Sequence, residues 1–253
     1  MLVIRLIIVF CLILIRCKLE AQTTKDSLAK KPSFTPHFNY QAYLNGNLNL
    51  GNVNRVLIQL GTKMTYKLDE VFKFNVNPYF AYGEQNGVVA ERELFTDFST
   101  NIWHNKRFYL LGFGSAESSN LRKIESRYLG GAGVGFKLIE IKGKFFFSIT
   151  NVLLYEATNY RDKEAFLLLR NSSRFVGDYK FAKNKLMLHH ELLVQPAVSQ
   201  SNLRLNGSAS LGVSIIKNLQ ISLNFRTSYE SFVLVNTKNW DFNWSFGLKY
   251  SNY

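Results

Sequence analysis

"WDFNWSFGLKY", residues 240–250, alternates without a break. Trp240, Phe242, Trp244, Phe246, Leu248 and Tyr250 take the even positions, and Asp241, Asn243, Ser245, Gly247 and Lys249 the odd ones. Successive side chains of a strand point to opposite faces, so the stretch predicts a strand with one apolar, aromatic face and one polar face. Such a strand suits the core edge of a soluble sheet or the closing seam of a membrane barrel.

The same period of two runs through the chain. Phe38, Tyr40, Ala42 and Leu44 share one parity; so do Val56, Ile58, Leu60, Thr62, Met64 and Tyr66, and then Phe72, Phe74, Val76, Pro78, Phe80 and Tyr82. Further segments at 107–117, 125–139, 144–157, 165–178, 185–198, 203–216, 220–233 and 239–250 bring the count to twelve if residues 91–104, whose parity is mixed, form one strand. Most are ten to fourteen residues long, about twice the usual globular strand and enough for the ~9–11 residues of a tilted bilayer crossing. The sequence therefore predicts an all-β fold, an antiparallel transmembrane β-barrel of about twelve strands, over residues 36–253. Its connections sort into short turns ("LDE", "HNK", "EIKG", "YKFAKN", "KNL") on one side and loops on the other ("GEQNGVVA", "SSNLRKIE", "TNYRDKE", "VNTK"). An even strand count then places both termini at one end. A soluble periplasmic β-sandwich that binds a ligand is the alternative architecture.

Composition agrees with strands. Aromatics make up 15% of the 253 residues, and prolines number four. Residues 1–21 read as a signal peptide: Arg5 precedes the apolar run Leu6–Ile15, and cleavage is expected between Ala21 and Gln22. Lipidation at Cys17 is the rival reading, disfavoured by Arg16 just before it. Both cysteines, Cys11 and Cys17, fall in this leader, so the mature chain has no thiol for a disulfide or metal. Residues 22–35 are polar and aperiodic, a flexible lead-in. Loss of Arg5, Arg16, Lys18 and Glu20 with the leader lowers the net charge from +13 to +11. In an exported chain that charge points away from nucleic acid and toward outer-membrane lipid and lipopolysaccharide phosphates as partners. The bacterial outer membrane is the expected location, and no oligomeric state is indicated.

"GNLNLGNVN" (46–54), "FYLLGFGSAESSNLRKIESRYLGGAGVGFKLI" (108–139), "LLYEATN" (153–159) and "RNSSRF" (170–175) together resemble the salt-induced outer-membrane proteins, a bacterial barrel family of undefined biochemical role. The resemblance spans about residues 36–250 and implies an outer-membrane barrel. It lends no catalytic residue. The glycines of "FYLLGFGS" and "GGAGVGF" are expected to face the bore and allow the wall to coil. "GGAGVGF" lacks the Lys-Ser/Thr of a phosphate loop.

Candidate chemistry is sparse. No cofactor is expected. His189 and Glu191 share a face while His190 points away, too few convergent ligands for a metal. A lipid-acting barrel enzyme would need Ser172 or Ser173 with His104, His189 or His190, and no spacing joins them. Charges inside strands are more informative: Arg127, Glu156, Arg170, Arg174, Glu191, Arg226 and Glu230 are candidate bore residues, forming either a salt-bridge network or a charged constriction. Tyr79, Tyr82, Trp103, Tyr109, Tyr155, Tyr179, Tyr229 and Trp240 are expected in interfacial girdles. Phe246, Leu248 and Tyr250 resemble the final-strand signal read by the barrel-assembly machinery. The predicted function is a barrel with a structural role or a narrow solute channel.

Overall fold

The computed structural model describes residues 36–49, 55–161, 163–233 and 238–252. The expected leader and lead-in lie outside them. The chain forms thirteen strands: β1 (His37–Asn49), β2 (Arg55–Lys67), β3 (Phe72–Val76), β4 (Tyr79–Gln85), β5 (Val88–Ile102), β6 (Phe108–Ser119), β7 (Ile124–Ile141), β8 (Phe145–Tyr160), β9 (Lys163–Phe181), β10 (Leu186–Pro196), β11 (Leu203–Ile216), β12 (Leu219–Glu230) and β13 (Trp240–Ser251). Both β3 and β4 lie between β2 and β5, so they are two halves of one stave. Every neighbour is antiparallel and β13 pairs with β1, which closes a twelve-stave barrel. The stave breaks at Pro78, which has no N–H to give. Its carbonyl still accepts from Thr62 at 3.0 Å, and Asn77 N–H donates to Asp97 O at 3.0 Å, so only one ladder donor is lost.

Parity decides which residues meet the bore. The even residues of β13, from Trp240 to Tyr250, are all exposed on the outer wall, while Ser245, Gly247 and Ser251 are buried. Leu44, Ile58, Leu60, Phe80, Leu94, Phe98, Val134, Leu153, Leu167, Leu192, Leu211 and Ile221 continue that exposed apolar surface around the staves. A belt this extensive would be poorly solvated in water and matches a hydrocarbon medium. β5 shows why its parity is hard to read. Phe95 is inward, paired with Tyr79 at 5.3 Å between ring centroids, whereas Thr96 and Thr100 share the outward register of Phe98.

Three features differ from the sequence reading. The loops "GEQNGVVA", "SSNLRKIE" and "TNYRDKE" shrink to tight turns, because the flanking strands extend into them; Ser119 and Thr158 become buried bore wall. Asn86 and Gly87 alone turn β4 into β5, with φ of 52° and 78°, the left-handed pair of a type I′ hairpin. Gly131, Gly133 and Gly135 of β7 face inward, but Gly112 and Gly114 of β6 face outward, since Leu111 and Phe113 pair with Gly133 and Gly131 on the bore side. Tyr79 and Tyr109 are not in a girdle; both point into the bore. Tyr109 lies over Gly135, where a Cβ would come within 2.2 Å of its ring.

Gly133 shows how tightly the wall coils. A Cβ there would fall 1.9 Å from Asn151 O of β8, whereas one at Gly130 would meet nothing within 4 Å. Gly133→Ala is expected to destabilise the folded barrel by about 2–3 kcal/mol, as overpacking against backbone does. Gly130→Ala should stay within about 0.5 kcal/mol. Urea unfolding of the two variants in detergent, followed by tryptophan fluorescence, measures the contrast.

Candidate functional site

The bore carries a layer of charge near the end that bears the hairpin loops 86–87, 120–123 and 197–202. It is built strand by strand: Glu93 on β5, Glu117 on β6, Arg127 on β7, Glu156 on β8, Arg170 on β9, Arg204 on β11 and Glu230 on β12. Arg122, from the turn after β6, enters between the two carboxylates that would otherwise adjoin. It pairs with Glu117 and with Glu93, the latter at 3.2 Å. Four guanidiniums thus meet four carboxylates, and the layer is electrically balanced.

Register places these groups in contact. Arg127 stands opposite Glu117 across β6–β7, and Arg204 opposite Glu230 across β11–β12. Arg127 reaches Glu230 at 3.0 Å, Glu117 at 3.3 Å and Glu156 at 3.2 Å, and also donates to Thr158 Oγ1 at 3.1 Å and Tyr160 Oη at 3.2 Å. Glu156 gathers three guanidiniums: Arg170 Nε, Arg204 Nη2 at 2.8 Å and Arg127 Nε. Arg204 Nε also reaches Glu230 at 3.0 Å. The remaining Arg170 donors go to Gln195 O at 3.0 Å and Asn202 Oδ1 at 2.9 Å, which ties the 197–202 loop to the layer. Planar guanidinium forks suit this work, because each can satisfy several carboxylate oxygens at once.

Burial shows that the layer is tightly packed at its centre. Side chains of Arg127, Glu156 and Arg170 are 1%, 2% and 2% exposed. Deeper toward the termini, Arg174 is 43% exposed and Asp178 52%, although both point inward. Around this layer the bore is closely packed, and toward the termini its inward side chains are wetted. Burial alone would lower the Arg122 pKa; the Glu117 and Glu93 carboxylates outweigh it and hold it well above its ordinary value.

The family described as "Protein of unknown function, DUF481" matches residues 43–251, which covers the staves and every member of this layer. The chain belongs to that family. In three dimensions it is similar to the NanC porin, at 8% identity and a TM-score of 0.54, with 83% of this chain and 98% of that one covered. Structures with lower scores include the KdgM porin (12% identity, TM-score 0.43, covering 87% and 100%) and the translocator domain of autotransporter NalP from Neisseria meningitidis (11%, 0.45, 86% and 88%). The NanC likeness shows a porin-type barrel fold. No curated protein sequence matches the chain.

For this DUF481 chain, the seven charges singled out from sequence all face the bore but fall into three groups. Arg127, Glu156, Arg170 and Glu230 join the packed layer. Arg174 and Glu191 form a separate pair at 2.7 Å. Arg226 lies 5.2 Å above the Tyr79 ring, whose hydroxyl donates to Glu93 at 3.1 Å. Sequence reasoning missed Glu93, Glu117, Arg122 and Arg204. Glu117 was recoverable, since it shares parity with Tyr109 and faces Arg127. Arg122 sits in a turn, where a polar side chain is ordinarily solvated, whereas the structure commits it to two carboxylates.

His189 pairs with Asp178 at 2.8 Å rather than with Glu191. His190 points outward, stacked on Tyr179 with centroids 5.5 Å apart. Ser172 accepts from Gln195 at 3.0 Å, Ser173 accepts from Asn151 on the outer wall at 2.9 Å, and His104 meets Asp69 O at 2.9 Å near the opposite end. These contacts bring neither serine to any of the three histidines. Among the described residues no cluster of three His, Cys, Asp or Glu is placed to hold a metal.

Removing one member of a buried ionic layer strands its partners, at a typical cost of about 3–5 kcal/mol. Glu156→Gln is expected to fall in that range by urea unfolding. Glu140→Gln, whose carboxylate is 47% exposed in its pair with Lys137, should cost under about 1 kcal/mol.

Proposed function

We propose that this protein is an outer-membrane β-barrel with the aromatic wall against lipid, the termini on the periplasmic side, and a narrow passage held shut by the ionic layer at the outer end. The observation that carries the reading is the packing of Arg127, Glu156 and Arg170 across the bore beside a wetted inner half. Twelve staves enclose a bore small enough for side chains to occlude, unlike the clear channels of sixteen or more. The proposal assigns residues 1–21 to export. The resemblance to salt-induced outer-membrane proteins supports an envelope role and adds no mechanism. Outer-membrane lipid and lipopolysaccharide are the proposed surroundings of the belt and of the loop residues Lys123 and Arg161. Phe246, Leu248 and Tyr250 stand opposite Gly46, Leu44 and Ala42 at the closing seam, a position that fits an assembly signal read before the seam forms. No catalytic step is proposed.

In planar bilayers the wild-type barrel should pass little or no current, because the layer leaves no water path. Arg127→Ala and Arg170→Ala should each raise unit conductance several-fold, provided heat-modifiable migration confirms that the variant barrel is folded. Folded variants as silent as the wild type would mean that this layer is not the gate and that the barrel is structural.

A further inference from the structure

The inward cations are segregated by type along the bore. All four cations of the packed layer are arginines. Toward the termini the inward cations are Lys63, Lys67, Lys73, Lys137, Lys180 and Lys249, with Arg174 above them. Arginine suits fixed, bidentate pairing within the protein; lysine is a compact, mobile point charge. The inner carboxylates are already engaged: Glu140 by Lys137 at 3.0 Å, Glu191 by Arg174 at 2.7 Å, Asp178 by His189 at 2.8 Å, and Asp97 by Asn77 Nδ2 at 2.6 Å. Lys63, Lys67, Lys73 and Lys249 have no ion pair among the described residues.

Their arrangement makes this surplus costly. Lys67 and Lys73 are directly opposite across β2–β3 on the inward face, a like-charged cross-strand pair. Lys63 lies two pleat repeats further up β2, opposite Gln41; across the bore it feels Lys249, Arg174 and Arg226, partly offset by Glu191 and Asp178. Lys63 is exposed although walled by the barrel, and Lys67, Lys73 and Lys249 are half-buried, so solvent reaches part of each side chain. Concentrated positive charge in a wetted, low-dielectric cleft draws counter-ions of the opposite sign.

We propose that the inner half of the bore is a blind anion-binding vestibule, in which Lys63, Lys67, Lys73 and Lys249 hold a small, multiply charged anion of the phosphate class entering from the end that carries the termini. Two negative charges on one ligand would relieve the Lys67–Lys73 repulsion and engage Lys63 or Lys249 together. The site depends on the wetted inner half and is independent of whether the ionic layer ever opens, so a silent barrel in bilayers leaves it intact.

The test is calorimetric titration of the full-length barrel, folded in uncharged detergent at low ionic strength, with inorganic pyrophosphate. Saturable binding near one equivalent is expected, together with a rise in the thermal midpoint of unfolding as ligand is added. Lys67→Gln/Lys73→Gln should weaken binding at least tenfold, and should not unfold the ligand-free barrel, because it removes a repulsion. Lys217→Gln, in the exposed β11–β12 turn at the same end, should leave binding unchanged. Absence of saturable binding would overturn the proposal, as would an equal loss in Lys217→Gln, which would mark non-specific attraction to a basic rim.

Discussion

Backbone N–H and C=O groups have no solvent to turn to inside hydrocarbon, and that requirement governs everything else in this chain. It forces the ladder to close from β13 onto β1, and closure fixes an inside and an outside for every strand. The period of two then becomes a sorting rule with two very different destinations. One parity meets lipid and can hold Trp240, Phe242, Trp244 and Phe246 in succession. The other meets a bore of limited volume, and must satisfy its polar groups with partners from neighbouring staves. The ionic layer is what that second rule produces when seven staves and a turn each contribute one charge at one level.

The layer is satisfied largely from within. Glu156 is surrounded by three guanidiniums and Thr158, and Arg127 by three carboxylates, Thr158 and Tyr160. The inner half is different in kind. There each carboxylate has a hydrogen-bonding partner and the lysines outnumber them, so the surplus demand is for negative charge from outside the protein.

The sequence made the wall legible wherever the outward parity was aromatic or aliphatic and the inward parity polar, as in β2 and β13. It failed where the bore itself is apolar. Phe95, Leu111 and Phe113 face inward, the last two opposite Gly133 and Gly131, so periodicity assigned Gly112 and Gly114 to the wrong side. Loop lengths were overestimated for a related reason. Ser119, Thr158 and Tyr160 look like loop residues by polarity, yet they are the upper wall of the bore. The individual charges of the layer were partly visible, but their convergence was not, because it depends on the stagger between strands far apart in sequence.

The closing seam has a consequence for the mechanics of the wall. Between β1 and β13 the ladder runs from Gln41/Ser251 to Gly46/Phe246, whereas β1–β2 pairs along the whole of β1 and β12–β13 from Leu219/Tyr250 to Tyr229/Trp240. Above Gly46 the side chain of Asn47 reaches Trp244 O at 3.1 Å where the ladder has stopped. A side-chain amide can release and rebind without unzipping a strand. The barrel therefore carries a hem that is stitched along its lower half and only tacked above, and lateral strain in the wall would part it there first.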